Sequence, residues 1–202
     1  DAGVEIAAVS GPNVSVGGDA AAAQERCKRR IEFAADCGVG LFMTKGPAHG
    51  PTSPSTDADL DQVAAIYEDL AAHGDRIGVR VAWHPHVNHV VDSEQEWKRF
   101  LNRLQLCGLC LDMAHVVLWG FEPAQAARDH AGQIAYAHLH DDLTRQNTAG
   151  DLGDGPMCDY GLFLRTLEEV GFDGWVVAVS GGTRDSVESM KINRAYLRSV
   201  GY

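Results

Sequence analysis

The sequence predicts a parallel α/β protein of the TIM-type (β/α) barrel class. Apolar strand-like runs alternate with helical segments from end to end, several of those runs end in polar side chains, and no Gly-x-Gly-x-x-Gly turn follows the first run. Alternation with right-handed crossovers produces a parallel sheet covered by helices. Polar groups at the carboxyl ends of several strands favour a barrel. The missing glycine turn argues against an open nucleotide-binding sheet.

Residues 3–9 read as the first strand, followed by a Gly/Pro/Asn loop. Asp19 can cap a helix running to about Cys37, with Ile31, Phe33 and Ala34 on its apolar side and Gly38 and Gly40 as the stop. Residues 39–44 are a second strand, and 45–56 form a loop rich in Gly, Pro and Ser that is long enough to be functional. A helix opening at Asp57 or Asp59 sets Leu60, Val63, Ala64, Tyr67 and Leu70 at helical spacing and stops near Gly74. The third strand, 79–83, ends at His84-Pro85-His86. Ser93, with Glu96 three residues on, opens a helix through Leu106. The fourth strand, 108–111, ends in Asp112, and Pro123 fronts a short helix to His130. Residues 134–137 are the fifth strand, and a polar loop covers 142–157. Asp159 caps a helix through Val170, 175–179 is the sixth strand, and 186–199 is the last helix. With no internal repeat and no linker, residues 1–202 read as one domain. A full barrel has eight βα units, so a barrel lacking about two N-terminal units is expected.

Composition narrows the function classes. A net charge of −11 opposes a nucleic-acid partner, and Lys28-Arg29-Arg30 reads as the solvated face of a helix. No apolar stretch is long enough to span a bilayer, and no targeting segment is visible. The 5 cysteines do not form a disulfide framework, and Cys107 and Cys110 read as small residues of a buried strand, so the reducing cytoplasm is the expected compartment.

The chemistry gathers at strand ends. His84, His86, His89, His115, His138 and His140 lie in or just past three strands, in a chain with 9 histidines. A strand has a side-chain period of two, so His138 and His140 share a face. Neutral imidazoles beside the Asp112 carboxylate suit a divalent metal such as Zn, Mn, Fe or Co.

The stretches Leu111-Asp112-Met113-Ala114-His115, His138-Leu139-His140-Asp141 and Gly171-Phe172-Asp173-Gly174-Trp175 resemble the xylose isomerase-like barrel superfamily. Trp83-His84-Pro85-His86 and the 193–198 tail look most like its inosose-dehydratase-like branch. The resemblance implies a divalent metal (Mn, Co, Mg, Fe or Zn) held by Asp112, His138 and His84, the last standing where many members carry glutamate. His140 stands in for the lysine of the family's His-x-Lys-Asp motif, and His115 falls on a substrate or second-site contact. One departure is plain. The glutamate that ends the family's last strand falls on Val179, which can neither ligate a metal nor move a proton.

The implied function is a metal-dependent isomerase, epimerase or inosose-type dehydratase acting on a small-molecule sugar or polyol. In it His86 or His115 moves the proton, and His140, Arg145 and Lys45 contact substrate. The alternative is a non-catalytic sugar-binding protein or inactive partner subunit. An apurinic endonuclease would need a DNA-facing basic surface that the charge opposes. Barrels of this type often associate, so a homo-oligomer is also open.

Overall fold

The computed structural model describes residues 3–48, 54–141, 150–155, 157–180 and 184–202. The fold is α/β of the TIM type, with six strands among the described residues. The chain divides into two compact units, Asp1–Cys110 and Leu111–Tyr202.

The first unit contains β1 (Val9–Ser10), α1 (Ala20–Asp36), β2 (Leu41–Lys45), α2 (Asp57–Asp75), β3 (Arg80–His84), α3 (Glu94–Leu101) and most of β4 (Gly108–Asp112). Its strands pair in chain order and all in parallel, with Val9 opposite Phe42, Phe42 opposite Val81, and Ala82 opposite Gly108. Phe42, Val81, Ala82, Trp83 and Leu109 are all buried, as the apolar runs of a sheet covered on both faces must be. Trp83 packs against Trp97 and Phe100 of α3, and Phe100 meets Tyr67 of α2 edge-on.

Three expectations need correction here. The first strand is much shorter than 3–9: Val9 pairs with Phe42, so residues before 8 run past the start of β2 at Leu41 and find no ladder there. Val4 and Ile6 are accordingly exposed. On α1 the buried stripe is Ala23, Cys27, Ile31 and Ala34. Phe33, two residues past Ile31, is more than half a turn round the helix and half exposed. Finally, α3 stops at Leu101 rather than running through Leu106. The Glu68 carboxylate of α2 accepts from the backbone N–H groups of Gln105, Leu106 and Cys107, each at 3.0 Å, and turns the chain into β4.

Loop positions in this unit are tied down by acids. Thr56 and Asp59 form a reciprocal capping box at the start of α2. The buried Glu96 carboxylate accepts from Ser55 N at 2.5 Å, Asp92 N at 2.9 Å and Ser93 Oγ at 3.0 Å, joining the residues before α2 to those before α3. Gly74, in the last turn of α2, lies so close to β3 that a Cβ there would sit 2.3 Å from the Val79 carbonyl oxygen.

The second unit contains the end of β4, α4 (Met113–Leu118), α5 (Pro123–Asp129), β5 (Ile134–Leu139), α6 (Tyr160–Glu169), β6 (Val176–Ala178) and α7 (Ser186–Ser199). β5 is buried along its whole length and pairs in parallel with β6, Ala137 opposite Val176 and Leu139 opposite Ala178. In α7 the buried residues are the polar Ser189 and Asn193. Both reach the buried Asp151 carboxylate, Ser189 Oγ at 2.9 Å and Asn193 Nδ2 at 3.3 Å, and Arg184 joins it at 3.0 Å.

Replacing Glu68 with alanine leaves three neighbouring N–H groups without their acceptor. Urea denaturation should find the variant less stable by about 1–3 kcal/mol.

Candidate functional site

In the second unit, β5 runs into His138 and His140, and alternation along the strand sends both imidazoles to the same place. That place is Asp112. His138 Nδ1 lies 3.2 Å from Asp112 Oδ2, and His140 Nε2 lies 2.9 Å from Oδ1 and 3.1 Å from Oδ2. Asp112 ends β4 and is also the N-cap of α4, its Oδ1 accepting from His115 N at 3.4 Å. The cap brings His115 round in the first turn of α4, where its Nε2 stands 3.7 Å from Asp112 Oδ2. All four side chains are buried, Asp112 at 1% exposure.

Electrostatics follow from this packing. Burial alone would raise the Asp112 pKa. The charges of His115 and His140, with hydrogen bonds from His138 and His140, outweigh it and hold the carboxyl well below the usual range. Burial pulls His140 down, but the Asp112 charge, its hydrogen bond and the Asp141 charge raise it overall. The donor set fits a divalent cation. Protein nitrogens and oxygens bind Zn²⁺ at about 2.0–2.2 Å, so neighbouring ligand atoms stand roughly 3 Å apart. The separations of 2.9, 3.1 and 3.2 Å around Asp112 match that spacing. His140 Nδ1 is buried and has no hydrogen-bond partner among the described residues.

Behind the imidazoles sits Asp141, fully buried, accepting from Gly153 N at 3.1 Å and Met157 N at 3.2 Å while its backbone pairs with Gly150. Tyr160 Oη donates to the His140 carbonyl at 3.5 Å. Val179 follows β6 directly, its N–H donating to the Leu139 carbonyl at 2.8 Å, so no carboxylate stands at this position.

In the first unit, Lys45 and His84 are register partners at the carboxyl ends of β2 and β3. His84 and His86 meet edge-on with ring centroids 5.9 Å apart, and His86 and His89 do so at 4.7 Å. His86 Nδ1 and His89 Nδ1 both donate to the Val87 carbonyl at 2.9 Å, and Asn13 Nδ2 lies 3.2 Å from His89 Nε2. Burial, joined by the Lys45, His89 and His84 charges, takes His86 from the ordinary 6.5 down to about 4 despite the bond to Val87. His89 is lowered as well, chiefly by burial. Arg145 lies outside the described residues.

Sequence reasoning assigned no role to Asn13, His89 or Asp141. Their signal was position: Asn13 falls in the loop just after the first strand, where a parallel sheet places its functional groups.

A family model described as xylose isomerase-like TIM barrel matches residues 1–199. The chain belongs to the xylose isomerase-like TIM barrel family. Among curated proteins of this family, the rhizopine catabolism protein MocC of Rhizobium meliloti is 29% identical over 127 residues, covering 54% of this chain and 39% of that protein. The inosose dehydratase of Lacticaseibacillus casei is 24% identical over 143 residues, covering 60% of this chain and 47% of that one. The matched stretches thus span less than half of either relative. Among solved structures, the 3-keto-D-glucoside 4-epimerase YcjR of E. coli superimposes with a TM-score of 0.80 at 19% identity, over 98% of this chain and 80% of that one. A xylose isomerase-like TIM barrel protein from Mycobacterium smegmatis in complex with magnesium gives 0.76 at 16% identity, over 98% and 73%. At such identities the likeness is one of fold.

A histidine that is neutral when folded and protonated when unfolded makes the unfolded state bind more protons below its free pKa, so stability rises with pH there. For His86 that window lies between about 4 and 6.5. The urea midpoint should therefore fall as pH drops from 6.5 towards 4, and less steeply in His86→Gln.

Proposed function

We propose that the chain is a divalent-metal-dependent isomerase, epimerase or inosose-type dehydratase acting on a keto-sugar or inosose. One observation carries the reading: a buried carboxylate, Asp112, with imidazole nitrogens of His138 and His140 at 3.2 and 2.9 Å. Relatives that are an inosose dehydratase and structural neighbours that are sugar epimerases support the substrate class.

Asp112 and His138 hold the cation, with His84 of β3 as a further ligand. A bound divalent cation withdraws electrons from a ketone and a neighbouring hydroxyl and so acidifies the C–H between them. The protein's own groups do the rest. His115 is buried and poised beside Asp112 to take and return the proton, and His86, held neutral, is the other candidate base. Lys45 and Arg145 anchor hydroxyl oxygens of the substrate. The buried surroundings of Asp112 exclude water, which strengthens each of these interactions.

Val179 favours a second reading, a sugar-binding protein of this fold without turnover, because the strand end it occupies offers neither ligand nor base. The readings separate in one set of measurements on the full chain. Metal content and turnover are measured on inosose and ketoses, with sugar binding followed by calorimetry. Asp112→Asn should abolish both metal retention and turnover. Val179→Glu should raise metal affinity or activity. Sugar binding with no product from either the native chain or Val179→Glu would establish the non-catalytic reading.

A further inference from the structure

We propose that His140 is itself a cation ligand, making the centre a carboxylate with two or more imidazoles that takes Zn²⁺ or a similar imidazole-preferring ion over Mg²⁺. This rests on the metal-dependent reading above and goes beyond it, because it assigns His140 to the metal instead of to substrate and states which cations the site selects.

The argument starts from strand geometry. His138 and His140 leave the same face of β5 two residues apart, one repeat of about 6.6–7 Å along the strand. For both rings to reach one carboxylate, the nearer must use its inner nitrogen and the farther its outer one. That is the arrangement present: Nδ1 of His138 and Nε2 of His140 both face Asp112. His140 is the closer of the two, at 2.9 Å from Oδ1 and 3.1 Å from Oδ2. A side chain serving only to contact substrate would have no reason to turn that nitrogen onto the carboxylate.

The ring's other nitrogen gives an independent observation. His140 Nδ1 is buried and has no hydrogen-bond partner among the described residues, although buried polar groups are almost always satisfied. The protein does not complete this ring's bonding, so a bound group must complete it. A cation at Asp112 with its own water or substrate oxygens supplies polar atoms at that spot.

Donor type then sets selectivity. Around Asp112 the second unit places nitrogens of His138, His140 and, at 3.7 Å, His115. Imidazole favours Zn, Fe, Ni and Cu, whereas Mg and Mn favour oxygen ligands.

The test uses metal-stripped full-length chain titrated separately with ZnCl₂, CoCl₂, MnCl₂ and MgCl₂ in a calorimeter. Zn²⁺ should bind at least about 10³-fold more tightly than Mg²⁺. His140→Gln should weaken Zn²⁺ at least about 10-fold and leave Mg²⁺ within about 2-fold. Long-range ¹H–¹⁵N spectra of the native chain should show Zn²⁺ shifting His138 Nδ1 and His140 Nε2 together, which checks ligation without relying on a variant that could misfold. A Zn²⁺ response at His138 but not His140, or unchanged Zn²⁺ affinity in His140→Gln, would overturn the assignment and leave the metal-dependent reading standing. No cation binding at all by the native chain would overturn both.

Discussion

The second unit depends on keeping one negative charge out of water. Asp112 is buried at the junction of β4 and α4, and an isolated carboxylate there would be prohibitively costly. It is tolerated because histidine nitrogens surround it and the first turn of α4 donates to it. The same side chain thus ends a strand, starts a helix and gathers the polar groups at the strand end. The charge also locks its neighbours: the imidazoles point inward because the alternative is an uncompensated buried anion.

The other buried acids of this unit have a different character. Asp141 faces backbone N–H groups of Gly153 and Met157. Asp151 faces Ser189, Asn193 and Arg184. Both are satisfied by donors that carry no base or metal chemistry, and both tie loop residues back to the elements around them. Residue type does not separate Asp112 from Asp141 and Asp151; the company of imidazoles does. Glu68 and Glu96 play the tying role in the first unit.

Much of this was legible in the sequence because it follows from short-range rules. The periods of two and 3.6 located every strand and all the longer helices, and apolar runs ending in His or Asp marked Asp112, His138 and His140 as neighbours to be. What stayed hidden depended on partners distant in the chain. The end of α3 is decided by Glu68, 37 residues away from Gln105. The short α4 was missed because its start signal is Asp112, a residue already read as the end of a strand. The extent of β1 is set by where β2 begins. The Asn13–His89 contact joins residues 76 apart, with no local pattern to announce it.

Gly74 shows how far from the chemistry a constraint can act. Its hydrogen atom is all that separates the last turn of α2 from the Val79 carbonyl, and Val79 leads directly into the strand that carries His84. Any methyl group at that point would act as a wedge, tilting the helix or sliding β3 along its axis and moving an imidazole ten residues downstream. A position with no polar atoms in its side chain therefore calibrates the height at which His84 stands, and inherited variation there would be filtered as strictly as variation in a ligand.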